Sequence, residues 1–181
     1  MAIEIEKKYR LNTRQYERLS SVLEEIGAEL QGEDFEVNTL YRGGVLDEKN
    51  AVLRVRKISD RTILTYKQRI QNEFDIKQQI EHETEIGSAE EIENIIDNLG
   101  FKATLVYEKR RHTWNFRQVE ILLDELPFGL FMEIEGSITG IAEAEMFLEA
   151  EDFEVEHETY PSLTAKYGKK NGELIEARFE E

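Results

Sequence analysis

Carboxylates and cations stand two residues apart along several stretches of this 181-residue chain. Side chains two apart on a strand share a face. Glu4, Glu6, Lys8 and Arg10 fall on one side of the first stretch, with Ile3, Ile5, Tyr9 and Leu11 opposite and Lys7 as the exception. Arg54 and Arg56 share a face against Leu53 and Val55, and Lys67 falls with Thr65 and Arg69. Glu81, Glu83 and Glu85 form another ladder, followed by Lys109 with Arg111, Glu120 with Asp124, and Glu133 with Glu135. An antiparallel sheet with one wet face alternates apolar and charged residues as routine, so any single ladder reads first as a solvated face. Together they read differently. The charged faces are nearly pure Glu, Arg and Lys, and acidic stretches (4–6, 81–85, 133–135) are segregated from basic ones (54–56, 67, 109–111). Such surfaces suit a ligand that needs both signs. Arg and Lys bind phosphate oxygens, and carboxylates hold hard divalent cations such as Mg²⁺ or Mn²⁺. A polyphosphate carried with its metal meets both demands. Glu4 and Glu6, about 7 Å apart along a strand, could hold one ion between them or serve two neighbouring ions.

These side chains need strands to present them. Residues 2–10 alternate as a strand, and Asn12 or Thr13 caps a helix to about Ala28 whose apolar face is Leu19, Val22, Leu23 and Ile26. Phe35–Tyr41 reads as a strand, Gly43-Gly44 and 47–50 as turns, 51–58 and 62–69 as a hairpin, and 76–86 as another strand. Ser88 with Glu91 is a capping-box pattern opening a helix that Gly100 stops. Strands follow at about 104–114, 119–125 and 130–136; Thr139 caps a third helix, and 159–167 holds a short one. Strands in runs without intervening helices favour an antiparallel sheet. About eight strands closed on themselves leave room for side chains or one small ligand. The expected fold is therefore α+β: a closed eight-stranded antiparallel β-barrel with helices packed outside, as one domain over residues 1–181.

Composition narrows the classes. The chain is 40% hydrophobic and 34% charged, with a net charge of −16, which disfavours nucleic acid as a partner. No apolar run approaches the roughly 18–20 residues of a membrane span. The N-terminus lacks a basic region followed by an apolar run, so no leader is expected, and the expected location is the cytoplasm. Cysteine is absent, which excludes disulfides, thiolate metal sites and cysteine nucleophiles. His82, His112 and His157 have no metal-ligand spacing, and the first two lie on the faces opposite the charged ladders. Trp114 and Phe116 read as packing near a turn, and Gly43-Gly44 lacks the rest of a P-loop. Tyr160 and Lys166 could close over one mouth of a tunnel.

Glu4-Ile5-Glu6-Lys7-Lys8 resembles the ExExK signature of the CYTH superfamily, the triphosphate tunnel metalloenzymes. Leu53-Arg54-Val55-Arg56, Thr65-Tyr66-Lys67, Glu83-Thr84-Glu85, Lys109-Arg110-Arg111, Asp124 and Glu133-Ile134-Glu135 follow in that family's order and span nearly the whole chain. The segments 106–111 and 128–135, and Glu158-Thr159-Tyr160 followed by Leu163, resemble the class IV adenylyl cyclase branch. The resemblance implies an eight-stranded tunnel, with metal on Glu4, Glu6, Glu133 and Glu135 and catalysis centred on Glu4, Glu6 and Lys8. It implies phosphate contacts from Lys8, Arg54, Arg56, Lys67, Lys109 and Arg111. Glu83, Glu85 and Asp124 match positions that help hold metal or the basic side chains. Glu81 departs from the pattern, since many relatives carry a basic residue there.

The implied activity is metal-dependent conversion of ATP to cyclic AMP and pyrophosphate. The alternative is a triphosphatase acting on inorganic triphosphate, thiamine triphosphate or a nucleotide. A module that binds polyphosphate or nucleotide without turnover is a third reading, less favoured because all the expected acids are present. A homodimer would be in keeping with the family, although no apolar seam in the sequence demonstrates one.

Overall fold

The alternating stretches become strands, and the capped apolar periodicities between them become helices. The computed structural model describes residues 5–70 and 78–180, with backbone alone at 69–70 and 78–79. In chain order the elements are β1 (Glu6–Leu11), α1 (Thr13–Glu25), β2 (Glu29–Arg42), α2 (Val45–Glu48), β3 (Ala51–Ile58), β4 (Arg61–Ile70), β5 (Gln78–Ile86), α3 (Ala89–Asn98), β6 (Lys102–Phe116), β7 (Val119–Leu126), β8 (Gly129–Glu135), α4 (Ile138–Leu148), α5 (Tyr160–Tyr167), β9 (Lys169–Asn171) and β10 (Leu174–Ala177). The protein is thus mixed α and β with a large, mainly antiparallel sheet and five described helices. Among the described residues no helix is long and apolar enough to cross a membrane.

The described chain forms two compact units, one made of residues 5–35 and 109–159, the other of 36–108 and 160–180. In the first unit β1 pairs with β8, β8 with β7, and β7 with β6, all antiparallel. Helix α1 starts where the Asn12 side chain accepts from the Gln15 N–H while Gln15 returns a bond to the Asn12 N–H. It ends at Gly27, whose φ of +77° favours glycine. Its Leu19 and Leu23, four apart, are fully buried among Tyr9, Ile121, Met132 and Ile134 of the sheet and Ala144 and Leu148 of α4. Ser137, not Thr139, caps α4 by accepting from the Gly140 N–H. A Cβ at Gly140 would sit 2.9 Å from Val119 Cγ1, so this helix start fits closely against the β6–β7 turn.

In the second unit β2, β3, β4 and β5 pair antiparallel in sequence order. Ser88 caps α3 by accepting from the Glu91 N–H. Ile96 of α3 packs on Tyr41 and Val55, so the helix covers the face opposite the charged ladders. Strand β10 lies parallel to β6 and antiparallel to β9.

Among the described residues hydrogen bonding through the sheet runs β1-β8-β7-β6-β2-β3-β4-β5 and does not close on itself. A local reason lies in the first unit. The outer edge of β1 is taken up by the segment after α4, through Arg10 N–H to Glu154 O at 2.9 Å and Glu156 N–H to Lys8 O at 2.8 Å. Tyr9 and Val155 form the antiparallel bridge between these two contacts.

Candidate metal and phosphate sites

The register of the first unit assembles the charged face rung by rung. Glu6 lies opposite Glu135, and Glu135 opposite Glu120; Lys8 lies opposite Glu133; Arg10 opposite Phe131; Asp124 opposite both Phe131 and Arg111. Glu6, Glu133 and Glu135 each offer a carboxylate oxygen, all within 4.8 Å of one another. Two cations brace this trio. Lys8 Nζ is 3.1 Å from Glu133 Oε1, and Arg111 Nη2 donates to Glu133 Oε2 at 2.6 Å. Lys8, Lys109, Asp124 and Glu133 are buried, and burial of like charges is costly unless they are compensated. Burial first, then the charges of Glu133, Glu6 and Glu120, pushes the Glu135 carboxyl up to about 7 against the opposing pull of Arg111. Crowded acids of this kind gain from a divalent cation, which suits the donor chemistry of Mg²⁺ or Mn²⁺.

Asp124 stands with the bases and not with the trio. It is fully buried, Arg111 grips both of its oxygens, and Lys109 Nζ lies 3.6 Å away. Its placement fits a residue that holds basic side chains in position. Glu4 lies outside the described residues.

The second unit carries a face of different balance. Arg54 lies opposite Thr65, and Thr65 opposite Glu83; Arg56 opposite Ile63, and Ile63 opposite Glu85; Lys67 opposite Glu81. Arg54 Nη2 donates to Thr65 Oγ1 at 3.3 Å, and that hydroxyl donates to Glu83 Oε2 at 2.9 Å. Both guanidinium groups approach Glu83 Oε2 at 3.6 Å, and Lys67 Nζ meets Glu81 at 2.9 Å. Glu85 is exposed on the same face. The buried Nε atoms of Arg54 and Arg56 have no hydrogen-bond partner. Burial and the neighbouring Arg54 hold the Arg56 guanidinium below its usual pKa, with Glu36, Glu83 and Tyr107 opposing. Two adjacent guanidinium groups with unspent donors form a ready anion site.

Strand register sets Thr65 opposite Arg54 and Glu120 opposite Glu135, pairings that the sequence alone did not supply. The histidines stay apart from them. His82 stacks on Tyr66 with ring centroids 6.2 Å apart, and His112 Nδ1 is 3.2 Å from the Tyr16 hydroxyl. Trp114 is buried in the apolar cluster with Phe116. Tyr160 is also buried, its ring 6.4 Å from that of Tyr107, so it serves as packing within its own unit.

The chemistry of the acid trio suits a divalent cation, and that of the paired arginines suits an anion. The CYTH domain model matches residues 2–169, and the chain belongs to that family. A Methanocaldococcus jannaschii protein named "Putative adenylate cyclase MJ0240" is 27% identical over 151 residues, covering 81% of this chain and 84% of the relative. The structure of PH1012 from Pyrococcus horikoshii is similar at 26% identity and a TM-score of 0.75, covering 89% of this chain and 99% of the other. The Hippeastrum protein named "Putative adenylyl cyclase HpAC1", described as having a dominant triphosphatase activity, shares the fold. It is 17% identical with a TM-score of 0.69, covering 91% of this chain and 96% of the other.

Proposed function

We propose that this protein is a metal-dependent enzyme that breaks a phosphoanhydride bond in a triphosphate substrate, with the class IV adenylyl cyclase reaction as the first reading. The observation that carries it is the Glu6, Glu133 and Glu135 trio, with oxygens within 4.8 Å of one another, set against Lys8 and Arg111. The eight-stranded tunnel that the family resemblance implies is part of this reading.

Glu6, Glu133 and Glu135 would hold Mg²⁺ or Mn²⁺, with Glu4 as a further candidate. When bound, the cation would neutralise phosphate charge and polarise a phosphoryl oxygen. Arg54, Arg56 and Lys67 in one unit, and Lys8, Lys109 and Arg111 in the other, supply donors for phosphate oxygens. Asp124 and Glu83 fix the directions of those bases, so the donors are oriented before charge develops. In the cyclase reaction the ribose 3′-oxygen bonds to the α-phosphorus, the α–β anhydride bond breaks, pyrophosphate leaves, and the hydroxyl proton passes to solvent or a carboxylate. Both cyclase and hydrolase reactions rest on positioning and charge stabilisation more than on covalent chemistry by the protein.

A triphosphatase is the second reading. It is favoured because the aromatic residues of the charged faces, Phe131 and Tyr107, are buried and offer no stacking platform for a base. Phosphorus NMR on the protein incubated with Mg²⁺ or Mn²⁺ and equimolar ATP and inorganic triphosphate separates the two. Pyrophosphate with cyclic AMP establishes the cyclase. Orthophosphate with pyrophosphate from inorganic triphosphate, ATP remaining intact, establishes the triphosphatase. No turnover of either substrate with either metal overturns the enzymatic reading.

A further inference from the structure

The acid trio ends at a cavity. Beside Glu135, in the unit of residues 5–35 and 109–159, a space of about 540 Å³ opens at the β6–β7 turn. Ile5, Asn115, Gln118, Val119 and Glu120 border it together with Glu135. Its size lies in the range of small-molecule sites, and it is open to solvent, with Asn115, Gln118 and Glu120 exposed on its border. The strand register ties it to the metal trio, since Asn115 lies opposite Glu120, Glu120 opposite Glu135, and Glu135 opposite Glu6. A Cβ at Gly136 would meet Val119 Cγ1 at 2.7 Å, so turn and strand end are in close contact.

The chemistry of the lining differs from that of the phosphate faces. Arg117 also borders the cavity, but its guanidinium pairs with Glu143 and lies 4.3 Å over the Phe147 ring. That leaves two amides, the carboxylates of Glu120 and Glu135, Val119 and the exposed apolar side chain of Ile5. A further phosphate would meet Glu120 and Glu135 here and be repelled. An uncharged polar group with hydroxyls and a flat heteroaromatic edge fits instead. A carboxylate accepts from ribose hydroxyls, and an amide can bond a base edge as donor and acceptor at once.

We propose that this cavity receives the nucleoside of a nucleoside 5′-triphosphate, with Glu120 accepting from the ribose and the Asn115 amide reading the base. The inference deepens the function proposed above and rests on it. It gives Glu120, a member of the charged ladders, and Asn115, which lies outside them, a part in specificity, and it places the nucleoside end of the substrate at the Glu135 end of the trio.

The test compares KM for ATP with KM for inorganic triphosphate in the parent, Asn115→Ala and Glu120→Gln proteins, with thermal melts confirming that each variant is folded. Loss of one hydrogen bond to a charged group should raise KM for ATP by about tenfold in Glu120→Gln. KM for inorganic triphosphate should stay level or fall, because a repelling charge has gone. Asn115→Ala should shift the same ratio in the same direction, and 2′-deoxy-ATP should feel the Glu120 change less than ATP. An unchanged ratio, or equal rises for both substrates, overturns the nucleoside assignment and leaves the triphosphate reading standing. Turnover of inorganic triphosphate alone does the same. Turnover of neither substrate overturns the functional reading itself and this inference with it.

Discussion

Arg111 binds Asp124 through two parallel hydrogen bonds, Nε to Oδ1 at 2.7 Å and Nη2 to Oδ2 at 2.6 Å. The same Nη2 reaches Glu133 at 2.6 Å, so one guanidinium joins β6, β7 and β8 across the charged face. Asp124 is fully buried, and Lys109 beside it is nearly so. Removing one partner of a buried charge pair costs about 3–5 kcal/mol because the other is left uncompensated. Asp124→Ala should therefore lower stability by an amount in that range in urea unfolding. A loss below about 1 kcal/mol, the scale of an exposed pair, would show that the cluster is solvated and not structural.

The acid trio should make metal binding depend on pH. Burial and the neighbouring carboxylates raise Glu135 from 4.5 to about 7. Between those values the folded protein holds a proton that the unfolded chain releases, so this group's contribution to stability falls as pH rises through that window. A cation must displace that proton to bind. The rise in melting temperature on adding Mn²⁺ should be small at pH 5.5 and grow as pH passes about 7. Glu135→Gln should flatten that dependence. A metal-induced shift that is equal at both ends of the range would place the ion elsewhere.

Turnover gives a sharper check on the same trio. Glu133 joins Glu6 and Glu135 and also touches Lys8 and Arg111. Glu6→Gln and Glu133→Gln should each reduce metal-dependent kcat/KM by roughly a hundredfold or more, the scale seen when one aligned electrostatic partner is lost. Melting curves without metal should separate the two variants. Glu6 is exposed, so its replacement should leave the fold intact, whereas Glu133 is buried between two cations. Full activity in both variants would remove the trio from the mechanism.

Much of this was legible from alternation alone. Period two placed Glu6 with Lys8, Arg54 with Arg56 and Glu133 with Glu135 on common faces, as the paired strands have them. What alternation lacks is register, which depends on turn lengths and tertiary packing. Thr65 shares a face with Lys67 in the sequence, but only β3 and β4 bring it opposite Arg54. Glu120 shares a face with Asp124 in the sequence, but only β7 and β8 set it opposite Glu135. The first part of β2, Glu29–Asp34, has charged and polar residues without apolar alternation, and pairing rather than propensity makes it a strand. The turn expected after Gly43-Gly44 is a single helical turn, α2. The β9–β10 hairpin has no signal in the sequence, since a strand of three exposed residues carries no pattern. Closure of the sheet is a long-range property that local pattern cannot fix, and residues 154–156 occupy an edge of β1 that simple closure would use.

The paired arginines should prove specific as arginines. Arg54 donates to Thr65 and approaches Glu83, while the buried Nε atoms of both Arg54 and Arg56 have no partner. Lysine keeps the charge and loses the planar set of donors. Arg54→Lys and Arg56→Lys should each raise KM for the triphosphate by about tenfold, one charge-assisted hydrogen bond. Thr65→Val, which removes the hydroxyl linking Arg54 to Glu83, should raise it by a smaller factor. Unchanged kinetics in both lysine variants would show that these groups serve only as point charges.

Glu81 offers a prediction of the opposite sign. It departs from the basic residue that the family resemblance implies at this position, and it pairs with Lys67 at 2.9 Å and lies 3.9 Å from Arg54. Each contact draws a cation away from phosphate. The side chains of Lys67 and Glu81 are about a quarter exposed, so the pair is partly screened. Partly exposed pairs are worth about 0.2–1 kcal/mol. Glu81→Gln should release Lys67 and lower KM for a triphosphate by roughly two- to fivefold at low ionic strength, the same energy read as a binding constant. The gain should shrink as salt rises toward ~0.5 M, because screening weakens both the lost repulsion and the freed attraction. A rise in KM would reverse the assignment, making Glu81 a residue that orients Lys67 toward the substrate instead of competing for it.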